Sequence, residues 1–362
     1  MRLLVSQVPF LLLLSSLAGV AKAQDSVHLR DGRSETGKIE NEDYKEITLK
    51  KGTVIARLLQ QDVVGVQYGG SPEYNKVSTA LGAGNLAEAL PMLQDLATTK
   101  DKLKVPTLRQ HGLFQLASVQ QHSGKAVDAI AGYSSLLKEF PKSSHLIAAV
   151  QNMVDCFIAS KDFAGGSAAL QAQIEAARAA GVEASYLSSL DLQRGRLLEA
   201  QKKIGEARLI YEGCAAMKGL PPAVLGAARL GVARCEQAEG KPDKARELYR
   251  AVVELDASNE VLAGAWNGIA DLTIEDGQKT NDSAKLLDGL FCYLRGVVEF
   301  GPAPGEPTGE YERALAGAAR VFKALADLEK DDARKKTLTD RGNQRLNQLK
   351  KEFPDSPWLK PR

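Results

Sequence analysis

From residue 71 to residue 356, small and large apolar residues recur on one helix face, and the recurrence itself repeats. Ala89 is followed four positions on by Leu93, Ala129 by Tyr133, Ala207 by Tyr211 and Ala245 by Tyr249, with a weaker Leu290 and Leu294. A small residue one turn from a large one lets a second helix approach closely while the large side chain fills the space beside it. About twelve residues upstream another small residue returns: Ala117, Gly195 and Ala233. These are the two halves of a helix hairpin. Turn signals stand between them at Gly84-Asn85, Ser123-Gly124-Lys125, Lys161-Asp162 and Gly240-Lys241-Pro242-Asp243. Glu-Phe followed by proline, at Pro141, Pro302 and Pro354, closes a second helix, because proline cannot continue a helix and biases the residue before it away from helical geometry.

Residues 24 to 70 follow a different period. Val27 and Leu29, Gly37 and Ile39, Ile47 and Leu49, Val54 with Ala56 and Leu58, and Val64 with Val66 and Tyr68 alternate with polar residues. Turns fall at Asp31-Gly32, Glu42-Asp43 and Lys51-Gly52. Period two broken by such turns predicts about five short antiparallel strands. The segment resembles a small SH3-like or Sm-like β-barrel.

The helical spacing resembles the tetratricopeptide repeat (TPR) family, most closely in "LFQLASVQQHSGKAVDAIAGYSSLLKEFP" (113–141) and "RLGVARCEQAEGKPDKARELYRAVVELD" (229–256). Ala89 to Ala129 spans 40 residues and Ala207 to Ala245 spans 38, which lengthens the family's repeat of about 34 by roughly one turn. The third repeat departs, with Gly165-Gly166 at the small position, and the last two are stretched by "EDGQKTNDS" and "LEKDDARKK". The expected fold is mainly α: a TPR-like α-solenoid of about seven helical hairpins over 71–356, after a small all-β barrel-like domain at 24–70 and before a tail at 357–362. The resemblance implies a concave wall formed by the first helix of each hairpin. Its inward positions fall on Tyr74, Phe114, Ser118, Gln121, His122, Gln151, Asp155, Leu192, Arg196, Leu230, Arg234, Asn267 and Asp271. It also implies a protein or peptide partner, because stacked hairpins bind along such walls. Phe114 and the arginines are the strongest candidates, since aromatic and Arg side chains dominate interface energies.

The first 23 residues alter the setting. Arg2, the apolar run Val8 to Leu14 and Ala21-Lys22-Ala23 have the layout of a signal peptide cleaved after Ala23. The apolar run is shorter than the ~20 residues of a spanning helix. Removal leaves an expected periplasmic or secreted, soluble chain. Of the formal charge of +2, Arg2 and Lys22 contribute two, so the remainder is neutral (+2 − 2 = 0). A neutral chain without a basic block has no electrostatic attraction for nucleic acid or anionic lipid.

Candidate chemistry is sparse. Cys156, Cys214, Cys235 and Cys292 lie inside helical patterns without metal-ligand spacing and read as small buried hydrophobes; a Cys214–Cys235 bridge stays open, since those two fall on touching helices. His111 and His122 are eleven residues apart, about 16 Å along one helix, too far to share a metal, and read as solvated or groove residues. The Gly-x-Gly in "LGAGNLAEA" (81–89) lacks a preceding buried strand and reads as a turn. No nucleophile elbow, Cys-His pairing or zinc-binding helix signature occurs. Asn281 begins a formal glycosylation triplet, and "EKDDARKK" (329–336) reads as a solvated face or loop. The expectation is a non-catalytic, cofactor-free exported adaptor that binds a peptide or protein partner in cell-envelope assembly or maintenance. A self-assembling structural component of the envelope is the alternative, and an enzyme or enzyme subunit is the remote one.

Overall fold

The structure, a computed structural model, describes residues 24–83, 85–98, 106–302, 307–354 and 356–360. The signal-peptide reading of Met1–Ala23 and the turn residue Gly84 lie outside them. Two compact units follow one another, residues 1–92 and 93–362.

In the first unit the predicted strands form β1 (Asp25–Leu29), β2 (Ser34–Glu42), β3 (Glu46–Lys51), β4 (Val54–Leu59) and β5 (Val63–Gln67). They make one antiparallel sheet in the order β4-β3-β2-β1-β5, with a short 3-10 turn at Gln60–Asp62 between β4 and β5. Gly32 and Gly52 turn the chain at positive φ, as the turn residues require. Val27, Leu29, Ile39, Ile47 and Leu49 point inward and are buried, as the alternation predicts for the central strands. On the edge strands the alternation fails to assign a face. Val54 and Val64 are 63% and 59% exposed, because β4 is apolar on both faces and each edge strand has a single neighbour.

Two polar devices hold this unit. Asp25 accepts hydrogen bonds from the Ile39 N–H (2.9 Å) and the Gly69 N–H (3.0 Å), and the buried Tyr68 hydroxyl donates to buried Glu42 (2.6 Å). Helix α1 (Pro72–Gly82) is fastened by Asn75, whose amide donates to the Tyr68 carbonyl (2.9 Å) and whose oxygen accepts from the Tyr68 N–H (3.2 Å). Helix α2 (Leu86–Thr98) carries the chain to the second unit.

The second unit is a run of antiparallel helix pairs: α3 (Pro106–His122) with α4 (Ala126–Glu139), α5 (Leu146–Ser160) with α6 (Phe163–Ala179), and α7 (Ala184–Ala200) with α8 (Ile204–Ala215). Then come α9 (Pro222–Ala238) with α10 (Pro242–Val253), α11 (Asn259–Thr280) with α12 (Ser283–Val298), and α13 (Gly309–Leu328) with α14 (Asp332–Glu352). Fourteen helices among the described residues form the expected TPR-like solenoid after the sheet. The predicted endings hold physically: Phe140 and Phe353, each before a proline, leave helical geometry at φ −129° and −137°.

The repeat's small and large residues make its core. Ala129, Ala207 and Ala245 have no exposed surface, and Tyr133, Tyr211 and Tyr249 are buried beside them. Each ring removes roughly 150–250 Å² from water. Glycines of neighbouring helices make room for these rings. A methyl group on Gly195 or Gly231 would lie 2.4 or 2.6 Å from the Tyr211 ring, one on Gly268 2.3 Å from Tyr249, and one on Gly317 2.4 Å from Tyr293. The expected Leu290 and Leu294 pair needs correction. Leu290 is buried but Leu294 only partly so, and the small and aromatic positions are Gly289 and Tyr293, one residue earlier. Gly166, in the divergent third repeat, is another close approach, 3.0 Å from Phe157 Cβ and 3.3 Å from Leu197 if it carried a methyl.

Cys214 and Cys235 share an apolar cluster, yet all four cysteines are free thiols, so the bridge left open by the sequence is not formed here. Burial pushes the Cys156 and Cys214 thiols up to about 11 and Cys235 to about 12. At neutral pH they are protonated and poorly nucleophilic.

Candidate partner-binding wall

The first helices α3, α5, α7, α9, α11 and α13 touch in series, each against the next, and form a continuous wall within the second unit. The expected site residues of this unit lie on the first five of them, and Tyr74 lies on α1 in the first unit.

At the α3 end, Phe114 is half-buried and stacks on His145 with centroids 4.1 Å apart and planes 2° apart; the Tyr133 ring is 5.9 Å away. His111 is buried rather than solvated, its Nδ1 2.6 Å from His145 Nε2. His122 is exposed, with Nδ1 hydrogen-bonded to the Ser118 carbonyl (2.7 Å). Gln121 accepts from the Tyr133 hydroxyl (2.8 Å), which also accepts from Asn152 (3.1 Å). Burial pushes the Tyr133 hydroxyl up to about 12, so it stays a donor at any physiological pH.

The same device recurs along the wall. Tyr211 donates to Glu199 (2.5 Å) and Tyr249 to Gln237 (2.6 Å), each twelve residues upstream, like Tyr133 and Gln121. Tyr293 instead donates to Asp271, because α11 is longer and position 281 falls in the turn after it.

Charge pairs link wall helices to one another. Asp155 on α5 meets Arg196 on α7 at 2.6 Å, and Gln193 accepts a second bond from Arg196 at 2.7 Å. Gln151 on α5 is partly exposed and lies one turn from Asp155. Further along, the Glu310 carboxylate on α13 collects Arg234 from α9 (2.5 Å), Asn267 from α11 (2.8 Å) and Arg313 from its own helix (3.1 Å). Arg313 also binds Asp271. Burial opposes the charge on Glu310, but Arg234 and Arg313 outweigh it and hold its carboxyl below the usual range. Glu260, on α11, accepts the Glu310 N–H (3.1 Å) at the start of α13. Burial, and then the adjacent Glu310 charge, push the Glu260 carboxyl up to about 7.

The structure divides the expected site residues. Tyr74, Leu192, Leu230 and Asn267 are buried: Tyr74 packs edge-on against Tyr68 (5.2 Å), the two leucines belong to apolar clusters, and Asn267 is bound to α13. These four serve packing: Tyr74 within the first unit, and Leu192, Leu230 and Asn267 where the wall helices meet closely. Ser118, Gln121, His122, Gln151, Asp155, Arg196, Arg234 and Asp271 retain surface. Glu310, Arg313, Glu260 and Glu199 were missed. Glu199 was reachable, twelve residues before a repeat tyrosine, whereas α13 lies in the stretched final hairpin where alignment gives no register.

Among the described residues no group of three or more His, Cys, Asp or Glu side chains could hold a metal, and no helix is long and apolar enough to cross a membrane.

The tetratricopeptide repeat family matches residues 112–143, the α3–α4 hairpin with its following turn. No curated protein matches the sequence. Similar solved structures include a tetratricopeptide repeat protein from Parabacteroides merdae (18% identity, 75% of this chain and 98% of that one, TM-score 0.43). Others are PilF of Pseudomonas aeruginosa (16%, 69% and 94%, TM-score 0.38) and the C-terminal part of a TPR repeat-containing protein from Cytophaga hutchinsonii (16%, 80% and 100%, TM-score 0.37).

Proposed function

We propose that the chain is an exported, non-catalytic adaptor that holds a peptide segment or protein partner on the wall of first helices, in the assembly or maintenance of a cell envelope. The observation that carries this reading is the wall itself: one side of every hairpin in series, with Ser118, Gln121, Gln151, Asp155 and Arg196 at its surface. Amides, hydroxyls and a half-exposed ion pair suit hydrogen bonding to an extended backbone. The signal-peptide layout of residues 1–23 supports export, and the neutral charge of the remainder supports a protein rather than a nucleic acid partner. The test is affinity capture with mature wild type beside Gln151→Ala/Arg196→Ala. Loss of a partner with an unchanged melting temperature supports the reading, and equal capture by both refutes it.

A second reading, self-assembly as a structural component, is favoured by the sheet edges. Val54, Ile55, Leu59 and Val64 on β4 and β5 are exposed apolar residues on strands with a free side. Sedimentation of the mature chain decides it: a concentration-dependent oligomer abolished by Ile55→Lys favours assembly, and a monomer at all concentrations excludes it.

A further inference from the structure

The Arg234–Glu310 bond joins two helices that are not neighbours in the series. It runs from α9 to α13 over α11, and the residue it crosses is Gly264. A methyl group there would lie 2.8 Å from Leu230 Cδ2, 3.1 Å from Arg234 Nη2 and 3.3 Å from Glu310 Cγ. Such a group would press hardest on Leu230 and would push the bridge aside by a few tenths of an ångström. Around it the donors converge on a single carboxylate from three helices, Arg234 of α9, Asn267 of α11 and Arg313 of α13. Glu260, one turn before Gly264, secures the start of α13 through the Glu310 N–H. In the α3–α7 part the charge pair of Asp155 with Arg196 joins adjacent helices.

We infer that the wall carries a latch, in which Glu310 reaches back over Gly264 to Arg234 and closes the α9–α13 part against an incoming segment while α3–α7 stays open. The inference rests on the reading of the wall as the partner-binding surface and deepens it: the first contact of a partner falls on α3–α7, and access to buried Asn267 requires the Glu310 carboxylate to leave Asn267 and Arg234. Release costs no helix, because the bond is between side chains, and the apolar clusters that join α9–α10 to α11 and α11–α12 to α13–α14 include neither Arg234 nor Glu310.

The test needs no partner, so its failure is separate from failure of the binding reading. Amide hydrogen exchange is measured on the mature chain as wild type, Glu310→Gln, Arg234→Gln and the exchanged pair Arg234→Glu/Glu310→Arg. The expected result is at least tenfold faster exchange in the first turn of α13 and the last turn of α9 for both single variants. Exchange in α5 to α8 and circular dichroism should stay unchanged, and protection should return in the exchanged pair. Unchanged exchange in the single variants overturns the latch. So does acceleration spread over all helices, which would make the bond part of global stability; Gly264→Ala, which obstructs the crossing while keeping all the charges, must reproduce the local pattern.

Discussion

Asp155 meets Arg196 across α5 and α7 with both side chains 35% exposed, whereas Glu310 meets Arg234, Arg313 and Asn267 with its side chain 15% exposed. The first pair lies on open wall, largely screened by water. The second is withdrawn from water and linked to three helices. Arg196 and Arg234, at the same repeat position, therefore meet different surroundings: a half-exposed carboxylate near α3–α7 and a largely buried one at α9–α13. Glu310 sits in the first turn of α13, and it meets Arg234 across Gly264 in the N-terminal part of α11.

The largest effect expected on this contrast comes from packing shared by the repeats. Gly268→Val places side-chain atoms inside the Tyr249 ring and should cost roughly 3 kcal/mol or more by chemical denaturation. Glu310→Ala comes next: it leaves Arg234 and Arg313 without their carboxylate and should cost about 3 kcal/mol, read by hydrogen exchange as local opening of the α9–α13 part. Asp155→Ala should cost under about 1 kcal/mol. A ratio near one between those two losses would abolish the distinction between the halves.

Between them in size lies a pH effect confined to the closed half. Glu260 has a folded-state value of about 7 against 4.5 for the free side chain, so between those values the folded chain holds a proton that the unfolded chain has released. Stability should therefore fall as pH rises from 4.5 to 7, by an amount on the order of 2 kcal/mol from this group. Glu260→Gln should flatten the curve in that window; a parallel curve would show that Glu260 is not the titrating group. Glu310, held low, acts in the opposite sense, contributing stability above 4.5 that is lost on further acidification. Tyr249→Phe removes one hydroxyl bond to Gln237 and should cost about 1 kcal/mol in thermal unfolding, close to the small cost of Asp155→Ala.

Much of this architecture was legible in local spacing. Ala129 with Tyr133, Ala207 with Tyr211 and Ala245 with Tyr249 are i and i+4 on one helix, so the sequence carries them directly. Gly289 and Tyr293 obey the same rule and were passed over for Leu290 and Leu294, because a leucine is the stronger apolar signal when burial is unknown. The latch was not legible. Arg234 and Glu310 lie 76 residues apart on helices two places removed, and no local period links them. Leu192 and Leu230 mark the other limit: a position can face the neighbouring wall helix rather than the partner, and only packing separates the two.

Site-specific photocrosslinking in the source cells tests the central claim most directly, with the reactive residue at Gln151 on α5 or, as contrast, at exposed Leu209 on α8. The account predicts a discrete adduct with another protein from position 151 and none from 209. An adduct from 209 alone, or only cross-linked copies of this chain from both, would contradict it.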